Sequence, residues 1–128
     1  MVKKIRMKKI LITGGNGQLG SELKLLSKVY TQCEWIFTDY QELDLCNLEK
    51  LETELDRINP QIIINCAAHT AVDKAESEFE LSDVLNHKSV AVLAKWSYAN
   101  DCQLVHVSTD YVFDGSASTA LNENAQPN

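Results

Sequence analysis

Residues 10–20 read ILITGGNGQLG, and this stretch decides the fold. Ile10, Leu11 and Ile12 form a short β-rich run from Lys9 to Thr13, and the glycines follow at once. Leu19, Leu23, Leu26 and Tyr30 then recur at spacings of 4, 3 and 4, the stripe of an amphipathic helix. A strand that meets a helix through a glycine-rich turn is the opening of a βαβ unit. The turn holds G-x-x-G-x-x-G at 14, 17 and 20, with a nested G-x-G-x-x-G at 15, 17 and 20. Glycines here allow a tight turn and let a pyrophosphate reach the backbone, whose free N–H groups at a helix start bind anions without a basic side chain. Gly14, Asn16, Gly17, Gln18, Leu19 and Gly20 are therefore candidate dinucleotide-binding residues.

Outward from this turn, apolar runs alternate with helical stripes. Trp35 to Thr38 is a second strand; Leu48, Leu51, Leu55 and Ile58 make a second helix, capped by Asn47 and stopped by Asn59-Pro60. Ile62 to Asn65 is a third strand. From Glu78 to Ala99, Leu81, Leu85, Val92 and Trp96 form one stripe and Val84, Ala91 and Tyr98 another, which predicts a helix buried on two sides. Leu104 to Ser108 is a fourth strand. The order βαβαβαβ, with continuously apolar strands, predicts an α/β fold with a doubly wound parallel sheet, truncated at four strands. A strand order of 3-2-1-4 would set strands one and four side by side at the switch point, so the chemistry is expected after Thr13 and Ser108.

Asp39 ends the second strand, 19 residues after Gly20, where a carboxylate can accept from an adenosine ribose. A carboxylate favours a free 2′-hydroxyl, and Tyr40, Gln41 and Glu42 supply no Arg for a 2′-phosphate, which tilts the choice between NADH and NADPH towards NADH. Asp44 and Leu45 lie on the next loop, within reach of an adenine. After the third strand comes NCAAHTAVDK, residues 65–74, where small residues would let a cofactor lie against the backbone; Ala67, Ala68 and Thr70 are the candidates. His69 reads as an ordinary loop histidine, and His87 and His106 as structural. Thr109, or its neighbour Ser108, could donate a hydrogen bond to a substrate carbonyl oxygen, although a Ser-Thr pair after a strand is more often a cap or turn.

Composition narrows the function classes. The 128 residues are 45% hydrophobic and 23% charged, ordinary for one globular domain. Five of the twelve basic residues fall in the first nine positions, leaving seven basic against eighteen acidic residues and a net charge of −11 in the rest. Such a body repels phosphate backbones and argues against nucleic acid as a partner. The basic leader, residues 1–6, is expected outside the fold, and the three apolar residues after Lys9 are too few for a signal peptide or a membrane span. A cytoplasmic protein is expected. Cys33, Cys46, Cys66 and Cys102 show no C-x-x-C pair and read as buried reduced thiols, and the histidines lack metal-ligand spacing.

Together ILITGGNGQLGSEL, PQIIINCAAHTAVDKAESE and VHVSTDYVFDG resemble the dTDP-4-dehydrorhamnose reductases of the extended short-chain dehydrogenase/reductase superfamily. The resemblance runs from Met7 to Gly115 and implies a single Rossmann-like NAD(P)-binding region, residues 1–128, forming the amino-terminal part of a longer reductase. It also implies NAD(P)H-dependent reduction of the 4-keto group of dTDP-4-dehydro-L-rhamnose. Thr109 matches the family's active-site Thr, and Asn86 matches a helix Asn behind the active site of many short-chain reductases. The family's catalytic Tyr-x-x-x-Lys is missing from these residues, so the chain alone is expected to be nearly inactive. Two other readings stay open. The regulatory beta subunit of methionine adenosyltransferase resembles these reductases and binds dinucleotide without catalysis, and related epimerases or dehydratases act on other nucleotide sugars. A homodimer could cover an exposed sheet edge.

Overall fold

The computed structural model describes residues 7–70, 78–109 and 112–127. Four parallel strands, β1 (Lys8–Thr13), β2 (Cys33–Phe37), β3 (Ile62–Asn65) and β4 (Gln103–His106), form one sheet. Helix α1 (Gln18–Ser27) links β1 to β2, and α2 (Leu48–Ile58) links β2 to β3. Between β3 and β4 the chain runs through α3 (Phe79–Asp83), a π-helical turn (Val84–Lys88) and α4 (Ser89–Ala99). The alternation of strand and helix is the one read from the sequence, and the fold is Rossmann-like α/β.

The strand order differs from the expected 3-2-1-4. It is β2-β1-β3-β4, with β3 hydrogen-bonded to β1 through Ile10↔Ile62, Leu11↔Ile63, Ile12↔Ile64 and Thr13↔Asn65. The side chains explain why. In the expected order β3 would be an edge strand, and its run of three isoleucines would lie half bare. Beside β1 it pairs on both flanks, and Ile63 and Asn65 are fully buried. The sheet edges go instead to β2, which carries Glu34, and to β4. The chain therefore moves one way from β1 to β2 and crosses back over β1 to reach β3. The switch point lies between β1 and β3, not between β1 and β4.

Alternation along the strands divides the core. Leu11 and Ile63 face α2 and α4, where Leu51, Leu55, Ile58, Leu93 and Trp96 pack with them. Phe37 and Ile12 face α1, whose Lys24 ammonium lies 5.6 Å from the Phe37 ring centre. The α1 layer is thinner than its stripe predicts: Gly20 is its one buried residue, and Leu19, Leu26 and Tyr30 remain largely exposed. Asn47 stands at the start of α2 without a side-chain capping bond, while Asn59 ends it in the left-handed conformation at φ 51°.

The segment after Glu78 is buried on one side only, against expectation. Ser89, Leu93, Trp96 and Ser97 are buried, whereas Ala91 is exposed and Tyr98 is 93% exposed. Of the first expected stripe, Trp96 is buried and Leu85 and Val92 pack against the core, so it is the second stripe that fails; the π-helical turn adds a residue to one turn, and Leu93, in neither stripe, is fully buried. Only Cys102 of the four free thiols is buried; the other three are half-buried.

Candidate functional site

The carboxyl ends of β1 and β3 open a cleft of about 580 Å³, a volume in the range of small-molecule sites. Its floor is the glycine turn. Gly14 has φ +64°, and a side chain there would come within 2.7 Å of the Ala67 backbone nitrogen, so the two loops touch only because Gly14 has no Cβ. Gly20 does not line the cleft. It lets the first turn of α1 pack on Gly15, whose Cα would lie 2.7 Å from an added Cβ. No side chain caps α1 at Gly17, which lines the cleft, so the leading N–H groups of that helix keep the capacity to donate to an anion.

The wall beside the turn is Asp39. Its Oδ2 accepts from the Asn16 backbone N–H at 2.9 Å, and its Oδ1 accepts from its neighbour Tyr40 N–H at 2.8 Å. A further main-chain bond, Gly15 N–H to Thr38 O at 2.9 Å, ties the same two loops. A carboxylate has about four acceptor positions, so Asp39 keeps capacity for a ribose hydroxyl while it fastens the glycine loop. Next along the chain, Asp44 Oδ1 accepts from Cys46 N–H at 2.9 Å in a tight turn. Leu43, Leu45, Leu81 and Leu85 add an apolar side to the cleft, suited to a planar base.

The opposite wall is the loop after β3. Cys66, Ala67 and Ala68 line it, and Cys66 N–H donates to Thr13 O at 3.2 Å, extending the β1–β3 ladder. Asn86, set in the π-helical turn, grips this loop twice: its Oδ1 accepts from His69 N–H at 2.7 Å, and its Nδ2 donates to His69 O at 3.0 Å. The His69 ring nitrogen Nε2 lies 3.3 Å from Glu78 Oε2. Beneath the wall, Thr13 Oγ1 donates to Asn65 Oδ1, and Asn65 Nδ2 lies 3.0 Å from His106 Nδ1, so both ends of the buried amide have a partner. His87 pairs with Asp83 on the helix surface, away from the cleft.

The cleft thus gathers Gly14, Asn16, Gly17, Asp39, Asp44, Leu45, Ala67 and Ala68 from three separate loops. Gln18, Leu19, Gly20 and Thr70 lie beside it without lining it, and Thr109 follows β4, one strand beyond β3. Trp35 is stacked on Phe37 at 6.2 Å and does not line the cleft. The AVDKAE segment from Ala71, and Asp110 with Tyr111, lie outside the described residues. Reading the sequence missed Tyr40, Leu43, Cys46, Cys66, Leu81 and Leu85. The spacing of four between Leu81 and Leu85 marked a helix face but not which cavity that face would meet.

A nucleotide fits this arrangement at each point: backbone donors and no Cβ for a pyrophosphate, a carboxylate for a ribose, leucines for a base. Among the described residues no group of His, Cys, Asp or Glu gathers to hold a metal ion, and no helix is long and apolar enough to cross a membrane.

The fold and this cleft define a Rossmann-like α/β domain that opens at the β1/β3 switch point. Residues 7–128 match the family described as the RmlD substrate binding domain, and the chain belongs to that family. It is 39% identical over 117 residues to a dTDP-4-dehydrorhamnose reductase of Aggregatibacter actinomycetemcomitans, covering 91% of this chain and 40% of that protein. The crystal structure of a dTDP-4-dehydrorhamnose reductase from Clostridium acetobutylicum superposes with a TM-score of 0.88 at 42% identity, over 94% of this chain and 42% of the other. The Bacillus anthracis enzyme of the same name, solved in complex with NADP, gives 0.87 at 35% identity over 95% and 43% of the two chains. The chain spans about two fifths of the length of these relatives.

Proposed function

We propose that this chain is the NAD(P)H-binding portion of a dTDP-4-dehydrorhamnose reductase, which reduces the 4-keto group of dTDP-4-dehydro-L-rhamnose to give dTDP-L-rhamnose. The observation that carries the reading is the junction at Asp39, where one carboxylate fastens the glycine loop and faces the cleft. The similarity to reductases, one of them solved with NADP, supports the same reading.

Bound NAD(P)H supplies the hydride for such a reduction. The chain's own residues bind and orient. The N–H groups at Gln18 and Leu19, at the start of α1, hold the pyrophosphate, Asp39 accepts from the adenosine ribose, and the leucines keep water from the adenine. Ala67, Ala68 and Thr70 leave room for the nicotinamide half along the β3 loop. Thr109 donates a hydrogen bond to the keto oxygen as negative charge develops there. None of the four tyrosines is followed four residues later by Lys, so the proton donor of the resemblance is not among these residues. Binding, rather than turnover, is the activity assigned to this chain alone. Its substrate partner is the nucleotide sugar, and it works in the cytoplasm.

Isothermal titration of the chain with NADH and with NADPH tests this. One-site binding is expected, and Gly17→Val should abolish it. The added Cβ meets little of the fold besides Gly14 O at 3.2 Å, so the variant should keep its circular dichroism while its side chain fills the cleft. No heat at millimolar nucleotide from a folded chain would overturn the reading.

A further inference from the structure

We propose that Lys24 is a specificity-determining residue that admits a nucleotide with a 2′-phosphate on its adenosine ribose, so that cofactor choice is set by Lys24 and Asp39 together. This rests on the nucleotide-binding reading above.

Asp39 by itself selects a 2′-hydroxyl, because a phosphate placed there would meet a like charge; tolerance of the phosphate needs a cation close by. None follows Asp39 in sequence, since residues 40–42 are Tyr40, Gln41 and Glu42. The fold supplies one from the other direction. Lys24 lies on α1, and its Nζ donates to Asn16 Oδ1 at 2.9 Å. Asn16 in turn donates its backbone N–H to Asp39 Oδ2 at 2.9 Å. The Phe37 ring, two residues before Asp39, lies 5.6 Å from the same Nζ. The ammonium is therefore held one residue away from the carboxylate that receives the ribose, on the side of the glycine loop. Asn16 lines the cleft, so a group leaving the ribose 2′ position towards that loop approaches both the Asn16 amide and Nζ.

The ammonium keeps donors for such a group. It has three N–H bonds, of which the Asn16 contact uses one, and its four-carbon stem lets it turn to a phosphate without moving α1. Three other basic side chains are committed elsewhere. Lys9 donates to Ile58 O at the far end of β1, Arg57 pairs with Glu54, and Lys88 pairs with Asp83. No sequence motif marks Lys24, because it stands 15 residues before Asp39 on a different element.

The test is calorimetric titration of the full chain with adenosine 2′,5′-bisphosphate and with 5′-AMP, which differ by the 2′-phosphate. Lys24→Met should lower the ratio of the two affinities about tenfold, the size of one exposed charge-assisted hydrogen bond. Lys24→Arg should largely preserve the ratio. Lys28→Met, which removes an equal charge one turn further along, should leave it in place. The ratio should also shrink as salt is raised, since the contact is exposed. A ratio unmoved by Lys24→Met, with both nucleotides still binding, overturns this inference and leaves the pocket reading intact. Failure of the unsubstituted chain to bind either nucleotide overturns the pocket reading and this inference with it.

Discussion

Gly14 and Gly20 occupy matching positions in one motif, yet the structure gives them different work. Gly14 permits the β1 and β3 loops to touch, and Gly20 permits α1 to sit on the turn. Spacing revealed that both must be glycine but not which contact each one frees. Asp39 was likewise legible as a polar residue at the end of the second strand, and it lines the cleft, while its bond to Asn16 was not legible, because a side chain to main chain contact across 23 residues leaves no local pattern. The cleft cysteines carry a prediction at this scale. Burial, then the charge of Asp44, pushes the Cys46 thiol above the ordinary thiol range, and burial does the same for Cys66 and Cys102. Thiolate is therefore scarce at pH 8, and iodoacetamide should label Cys46 and Cys66 more slowly than a free thiol, with NADH slowing them further. The sign for stability follows. The folded chain holds these protons more tightly, so this contribution is intact below about pH 8.5 and is lost as pH rises towards the folded values. Peptide mass spectrometry reads the labelling, and labelling as fast as a free thiol contradicts it.

At the scale of elements, β3 was legible to the residue, because Ile62–Asn65 is bounded by Pro60 on one side and small residues on the other. The helical segment after Glu78 was legible as helix, with Leu85, Val92 and Trp96 on its inward face, but its π-helical turn was not. A π-helical turn depends on what the extra residue gains, and here Asn86 gains two bonds to the His69 backbone. Asn86→Ala should release the β3 loop. Hydrogen exchange at residues 66–70 should speed up, while global stability falls by about 1 kcal/mol or less because the amide is exposed. Unchanged exchange there would mean that the loop is held by other contacts. His69→Ala keeps the main-chain groups that Asn86 grips and should move the same amides less.

Across the whole molecule, the periodic patterns gave fold class and element order, but the pairing of β3 with β1 is a choice between partners that no local period encodes. The clue was compositional: three consecutive isoleucines ask for a central position. The two faces also differ in a way that spacing could not show, since the helices present similar leucine stripes. Leu55 of α2 is fully buried between sheet and α4, while Leu26 of α1 is 47% exposed. Leu55→Ala should cost about 2–5 kcal/mol in urea unfolding, and Leu26→Ala about 1 kcal/mol or less. Equal costs would mean that α1 is covered as fully as α2. The central claim, that the switch point between β1 and β3 takes a dinucleotide, is tested most directly by mapping amide chemical shifts of the labelled chain during titration with NADH. The shifts should concentrate at residues 14–20, 39–46 and 66–68, with little change at the amino-terminal ends of the strands. Shifts confined to the region of Ser108 and Thr109, or none at saturating nucleotide, would contradict the account.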